Sequence, residues 1–145
     1  MKINLETDYA VRIVQCLADS GCRLDAGSIS EKTGVTQRFA LKILRKLAAE
    51  GLVRSFKGVG GGYELALPPD EITLLRVIET IEGPLVISRC QQSDYKCDHP
   101  SDCTCYFHRL YNEVAADIQK KFGSVTFAGS HEMYNSKKQT NKLPE

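Results

Sequence analysis

Cys90, Cys97, Cys103 and Cys105 fall within sixteen residues, and His108 follows three residues after the last of them. Thiolate and imidazole at this density point to a metal ion or an iron–sulfur cluster. Disulfides are the rival reading. The start, MKINLETDYAV, lacks the basic-then-apolar profile of a secretory signal, so a reducing, cytoplasmic setting is expected. The spacing is Cys90-x6-Cys97-x5-Cys103-x-Cys105-x2-His108. Structural zinc sites pair ligands about two to four residues apart, which only a stretched reading finds here. Ferredoxin spacings differ as well. Three thiolates from a loop and a helix start, with a fourth ligand from elsewhere, suit an iron–sulfur cluster. Cys103 and Cys105 are too close for both to ligate easily from a first helical turn, so one is spare or a resolving thiol. A regulatory disulfide stays open. His108 suits a ligand if its other ring nitrogen finds a partner, although a lone helical histidine is more often structural. Asp8, in the first turn of a helix, ordinarily only complements the helix dipole. Cys16 reads as structural and Cys22 as incidental.

The elements that must position these groups begin with a helix whose apolar face is Tyr9, Ala10, Ile13, Val14 and Leu17, with Thr7 as its cap and Gly21 as its stop. A short helix over Ser28–Lys32 and a turn at Thr33-Gly34-Val35 follow. Thr36 caps a third helix running to Glu50, with Ala40, Leu41, Leu44, Leu47 and Ala48 as its core face. Gly51 stands where a helix-ending glycine belongs. Two extended segments, Leu52–Phe56 and Tyr63–Leu67, flank the run Lys57-Gly58-Val59-Gly60-Gly61-Gly62 and read as a β-hairpin. Helix, turn, helix and hairpin is the order of a winged helix-turn-helix, whose second helix enters the major groove.

Charge agrees with that order. Residues 1–62 carry ten basic and six acidic residues, whereas residues 63–145 are net acidic. Between positions 36 and 57, six basic residues face the single acid Glu50, the footprint of a polyanion site. Thr36, Gln37 and Arg38 open the reading helix, and Gln and Arg suit bidentate contacts to adenine and guanine. Lys42, Arg45 and Lys46 suit phosphates. Lys57 and Gly58 place the hairpin tip at the backbone or a minor groove. A nucleotide-phosphate loop would need a helix after the glycines and a Gly-Lys-Ser/Thr, and neither occurs. A winged helix serving protein contacts is the more serious rival, and the basic face argues against it.

Thr73–Glu82 reads as a fourth helix that stops at Gly83-Pro84, and residues 88–102 as a polar loop. A long helix then starts at Ser101 or Thr104. Phe107, Leu110, Tyr111, Val114, Ala115, Ile118 and Phe122 give it an apolar stripe. Little chain remains to cover that stripe, so a second copy is the expected partner. The organisation expected is a DNA-binding domain over 1–69, a cysteine-loop and dimerisation region over 70–130, and a polar, disordered tail over 131–145. The fold class is mainly α with a small hairpin wing. No apolar run approaches the ~18 residues of a membrane span, and the 42% hydrophobic content suffices for an ordinary core.

The chain resembles the Rrf2 family of bacterial transcription regulators. The matching residues are Asp8-Tyr9-Ala10, Gly34-Val35, Gly51-Leu52-Val53, the run Lys57 to Tyr63, Val77-Ile78, Glu82-Gly83 and the cysteine loop, over roughly residues 1–130. The resemblance implies a homodimer on a palindromic promoter operator, with DNA binding controlled by a cluster rather than by an enzymatic activity. IscR-like members hold a 2Fe–2S cluster with three cysteines and a histidine. NsrR-like members hold a 4Fe–4S cluster with three cysteines and an aspartate, and CymR-like members hold none and sense through a partner or a thiol. Carried over, Cys90 and Cys97 are ligands. Cys103 keeps the usual five-residue gap, while Cys105 aligns Cys105-Tyr106-Phe107-His108 with the IscR-like Cys-x-x-His and is preferred slightly. His108 and Asp8 match the two alternative fourth ligands. A cluster-free regulator is the alternative, and an iron–sulfur or zinc redox protein a weaker one.

Overall fold

A computed structural model describes residues 2–99 and 105–129. In chain order it comprises α1 (Leu5–Ser20), α2 (Ala26–Thr33), α3 (Gln37–Ala49), β1 (Val53–Phe56), β2 (Gly62–Leu65), α4 (Leu74–Glu82) and α5 (Tyr106–Gly123), with a 3-10 turn at Arg89–Gln91. The expected tail, and Ser101 and Thr104, lie outside the described residues; α5 begins later than expected, at Tyr106, because Cys105 before it is extended.

Capping explains where the helices begin. Asn4, not Thr7, caps α1, its Oδ1 accepting from the Thr7 amide at 2.8 Å. Thr7 is wholly buried, and its hydroxyl donates instead to Glu82 Oε1 at 2.6 Å. Asp25 caps α2 through the Ser28 amide, so that helix starts earlier than Ser28. Thr36 caps α3 as expected. The buried face of α3 is Ala40, Ile43, Leu44 and Leu47, the strict i, i+3, i+4, i+7 set. Leu41 and Ala48 fall on its margins and are only partly covered.

β1 and β2 pair antiparallel, with Val53 opposite Leu65 and Phe56 opposite Gly62. Leu24 and Tyr63 exchange two backbone bonds, of 2.9 and 2.7 Å, and pin the hairpin to the chain before α2. That approach leaves no room at Gly62, where a Cβ would lie 2.5 Å from the Leu24 carbonyl oxygen. At Gly61 a Cβ would lie 2.6 Å from the Phe56 carbonyl oxygen. Arg23 stacks over the Phe56 ring and donates to the Gly60 carbonyl at 3.2 Å, bracing the hairpin tip from outside.

One core runs through the molecule. Ile13, Val14 and Leu17 of α1 meet Leu44 and Leu47 of α3 and Val77 of α4. Phe127 joins the same core, which the sequence pattern does not foretell. After α5 the chain folds back. The Leu74 amide donates to Val125, Thr73 bridges Thr126, and the Phe127 amide donates to Pro69 and Ile72. Glu6 ties α1 to α3 from the surface, with Lys46 Nζ at 2.7 Å and Lys42 Nζ at 3.5 Å.

Because its ring plugs the core that α1, α3 and α4 share, Phe127→Ala should cost about 3–5 kcal/mol, read as a lower midpoint in urea unfolding. The Lys46 ammonium at 2.7 Å, with the charge of Lys42 beside it, holds the Glu6 carboxyl below its usual value. Its stabilisation is therefore present above the ordinary carboxylate pKa and is lost as pH falls through the lowered one. Thermal unfolding measured from about pH 6 to about pH 3 should show a shallower acid decline for Glu6→Gln than for the wild-type chain.

Candidate DNA interface and metal centre

The turn between α2 and α3 is held by side chains. The Ser30 hydroxyl donates to the Val35 carbonyl at 2.6 Å, and the Thr33 hydroxyl donates to Ile29 at 2.7 Å while accepting from the Val35 amide. Gly34 supplies the left-handed residue at the corner, with φ of 73°. These bonds present the first turns of α3 outward. Thr36, Gln37, Arg38, Lys42 and Arg45 line one open concavity on that face. Gln37, Arg38 and Arg45 are exposed. The Thr36 side chain is engaged as the cap, accepting from the Phe39 amide. Lys46 is directed to Glu6, and Lys42 is shared between Glu6 and the face of Phe39. Arg76 of α4 donates to the Glu50 carbonyl at 3.3 Å and steadies the far end of α3. Lys57 and Gly58 lie exposed at the hairpin tip beside a fully exposed Val59. Glu6 escapes a reading of the sequence because its partners lie 36 and 40 residues away and no local pattern signals them.

The second site is built where α5 starts. His108 Nδ1 lies 3.4 Å from Cys90 Sγ. Two ligands of one tetrahedral ion, at about 2.3 Å for sulfur and about 2.0 Å for nitrogen, stand about 3.5 Å apart. The pair is therefore compatible with a shared ion and, without one, with an N–H···S contact. Asn112, one turn along α5, lies 3.1 Å from His108 Nε2 through its amide nitrogen. Asn112 Oδ1 accepts from Gln91 Nε2 at 2.9 Å. With its Oδ1 accepting from Gln91, Asn112 donates its amide N–H to His108 Nε2, which leaves Nδ1 as the N–H facing Cys90; ligation through Nδ1 would require the Asn112 amide to turn over so that its oxygen accepts from Nε2–H. Gln91 is the hub. Its Oε1 accepts from the Ile87 and Ser88 amides, and its Nε2 also donates to the Tyr111 carbonyl. The Cys90 thiol donates to Ser88 Oγ at 3.3 Å. Sequence reasoning misses Gln91 and Asn112 because neither is a ligand type. The helical i, i+4 spacing of His108 and Asn112 was the available signal.

Cys105 is exposed and occupies the residue before α5, with no side-chain cap on that helix. Cys97 is exposed, and Cys103 lies outside the described residues. Among the described residues no three acidic, cysteine or histidine groups converge on one point. Asp8 lies on α1 and pairs with Arg12 at 2.8 Å. Cys16 is half-buried in α1, and burial pushes its thiol up.

Known proteins resemble this chain in sequence and in fold. The IscR transcriptional regulator of Aliivibrio salmonicida is 32% identical over 129 residues, spanning 87% of this chain and 74% of that protein. Among solved structures, IscR from T. potens superposes with a TM-score of 0.70 at 23% identity, covering 100% of this chain and 94% of that one. CymR, titled the global cysteine regulator of B. subtilis, gives 0.71 at 23% identity, covering 88% and 93%. At that identity the two structures speak to the winged-helix fold alone. The family model for Rrf2, described as an iron-dependent transcriptional regulator, matches residues 3–129. The chain therefore belongs to the Rrf2 family and is a transcription regulator rather than an enzyme.

Proposed function

We propose that this chain is a dimeric cytoplasmic regulator whose affinity for a palindromic operator is set by an iron–sulfur cluster on the cysteine loop. The observation that carries the reading is the convergence of Cys90 and His108 at 3.4 Å. Cys90, Cys97 and either Cys105 or Cys103 would supply thiolates. His108 is favoured as the fourth ligand over Asp8, whose carboxylate is engaged by Arg12 on α1. When bound, a 2Fe–2S or 4Fe–4S cluster would supply iron–sulfur bonds that respond to oxidation or loss.

The protein's own part is transmission. Gln91 ties the Cys90 turn to α5, and the Gln119 side chain ties α5 to the Leu85 carbonyl. Glu82, at the end of α4, holds the Asn4 amide and the Thr7 hydroxyl at the start of α1. Holding or releasing the loop would thus bear on α1 and, through it, on α3. A coupling of ~1–3 kcal/mol would change operator affinity about 5–150-fold. The dimer reading rests on α5, where Ala115 is the one buried residue and Phe107 and Val114 are 59% and 40% exposed. A second copy of the stripe is its natural cover.

The contact between Cys90 and His108, beside the exposed Cys97 and Cys105, also suits a cluster-free thiol switch. Anaerobic reconstitution with iron and sulfide counting separates the two readings. Cys90→Ala and Cys97→Ala should lose the cluster. Cys103→Ala against Cys105→Ala should identify the third ligand, and His108→Ala against Asp8→Ala the fourth. A reconstituted chain holding neither iron nor sulfide, whose DNA binding still responds to peroxide, would establish the thiol switch instead. On the DNA side, Arg38→Ala should relax base preference at one position, at about 1–3 kcal/mol. Arg45→Ala should weaken all duplexes alike and reduce the salt slope by about 0.9 per protomer. Binding to a base-by-base library of operator variants at several salt concentrations distinguishes these outcomes.

A further inference from the structure

Resting on the DNA-binding reading of α3, we propose that Glu6 is a specificity-determining residue that withholds Lys42 and Lys46 from indiscriminate phosphate binding. Its side chain is only 19% exposed, wedged between the first turn of α1 and the flank of α3. One carboxylate oxygen meets Lys46 at 2.7 Å and the other meets Lys42 at 3.5 Å, so the single anion is divided between two cations one helical turn apart. Lys42 and Lys46 remain 57% and 39% exposed, so each can still reach solvent and a nearby phosphate. A phosphate approaching them must therefore displace a carboxylate that is already in place.

The geometry separates two groups on the same helix. Gln37, Arg38 and Arg45 are exposed and line one open concavity, and Lys42 lies in the same concavity but is paired with Glu6. Base-reading groups stay available while two of the three phosphate-type cations are held in internal pairs. Non-specific binding draws essentially all of its affinity from phosphates, whereas specific binding also draws on base edges. A complex fixed in register by base contacts meets freed lysines only where a phosphate happens to lie. A non-specific complex can shift until a phosphate lies against them. Pairing the two lysines off therefore weakens the background more than the specific complex. Glu6 is also anchored. The neighbouring Thr7 hydroxyl and the Asn4 amide both donate to Glu82, so the carboxylate is presented from a fixed turn.

The test uses the full chain and two duplexes: one selected from a random pool by the wild-type protein, and a scrambled duplex of equal length. Binding is measured across a salt series. Glu6→Gln, which keeps the shape and removes the charge, should tighten scrambled-duplex binding by roughly eight-fold for each new phosphate pairing at about 0.1 M salt, and steepen the salt slope by about 0.9 for each. The selected duplex should tighten less, so the ratio of selected to scrambled affinity should fall. Adding Lys46→Met to Glu6→Gln should cancel the part of the tightening that Lys46 supplies. Thermal unfolding of each variant checks that it is folded. Three outcomes for a folded Glu6→Gln chain would overturn the proposal. One is an unchanged scrambled-duplex affinity and salt slope. Another is equal tightening of both duplexes, which would make Glu6 a brake on affinity alone. The third is weaker binding of both, which would make Glu6 a support that aims Lys46 at DNA. If the wild-type chain selects no duplex at all, the DNA-binding assignment of α3 fails instead, and the two failures are told apart.

Discussion

The buried face of α1 is the surface on which everything else is assembled. α2, α3, β2 and α4 all pack against it, and its Ala10, Ile13 and Val14 are fully excluded from water. At about 25 cal/mol for each Å² of apolar area buried, a few such residues supply much of what orders a chain this size. A helix-turn-helix alone has too few apolar residues to hold its two helices at a fixed angle. Here the angle is imposed by the third body beneath them. The same body supports α4, so the helix-turn-helix and the helix leading to the cysteine loop share one foundation.

That sharing explains why so many polar contacts gather at the first turn of α1. Asn4 caps it, Glu6 reaches α3, Thr7 reaches α4, and Asp8 stays local with Arg12. Four polar functions point in different directions from a single turn. Thr7 is the costly member, since an unpaired buried hydroxyl would be penalised by about 1–3 kcal/mol, and Glu82 removes that penalty. The start of α1 therefore acts as a joint between the end of α4 and the flank of α3. A chain regulated through the cysteine loop has a short covalent and hydrogen-bonded route available: Cys90, Gln91, α5, Leu85, then back along α4 to Glu82.

Much of this was legible because the signals were local. The glycine at position 34, the cap at Thr36 and the glycine-rich hairpin each need only their neighbours to be read. The Cys90 and His108 candidates were visible by residue type. Some misses were local, such as Asp25 as the cap of α2 and Ile43 on the buried face of α3; the others were long-range. Thr7 looked like a cap because threonine before an apolar face usually is one, and only the position of Glu82 shows that its hydroxyl is committed elsewhere. Phe127 follows the helix-ending Gly123 and looked like the approach to a tail, but the strand-like pairing of Thr126 with Thr73 returns it to the core. Gln91 and Asn112 orient the ligand-type residues, and no residue-type rule marks such supporting amides. Glu6 and Lys46 are 40 residues apart and meet only because α1 and α3 cross.

The hairpin tip carries a consequence for how this protein can change over generations. Gly58, Gly60 and Gly62 all sit at positive φ, between 77° and 143°, and Gly61 has no space for a Cβ. Any side chain at these four positions is opposed by backbone strain or collision. Lys57 and Val59 are the two residues of the six-residue loop left open to substitution, and both face solvent. A lineage that needs a new DNA contact from this tip has two adjustable positions, and the rest of its divergence must be written into the opening turn of α3.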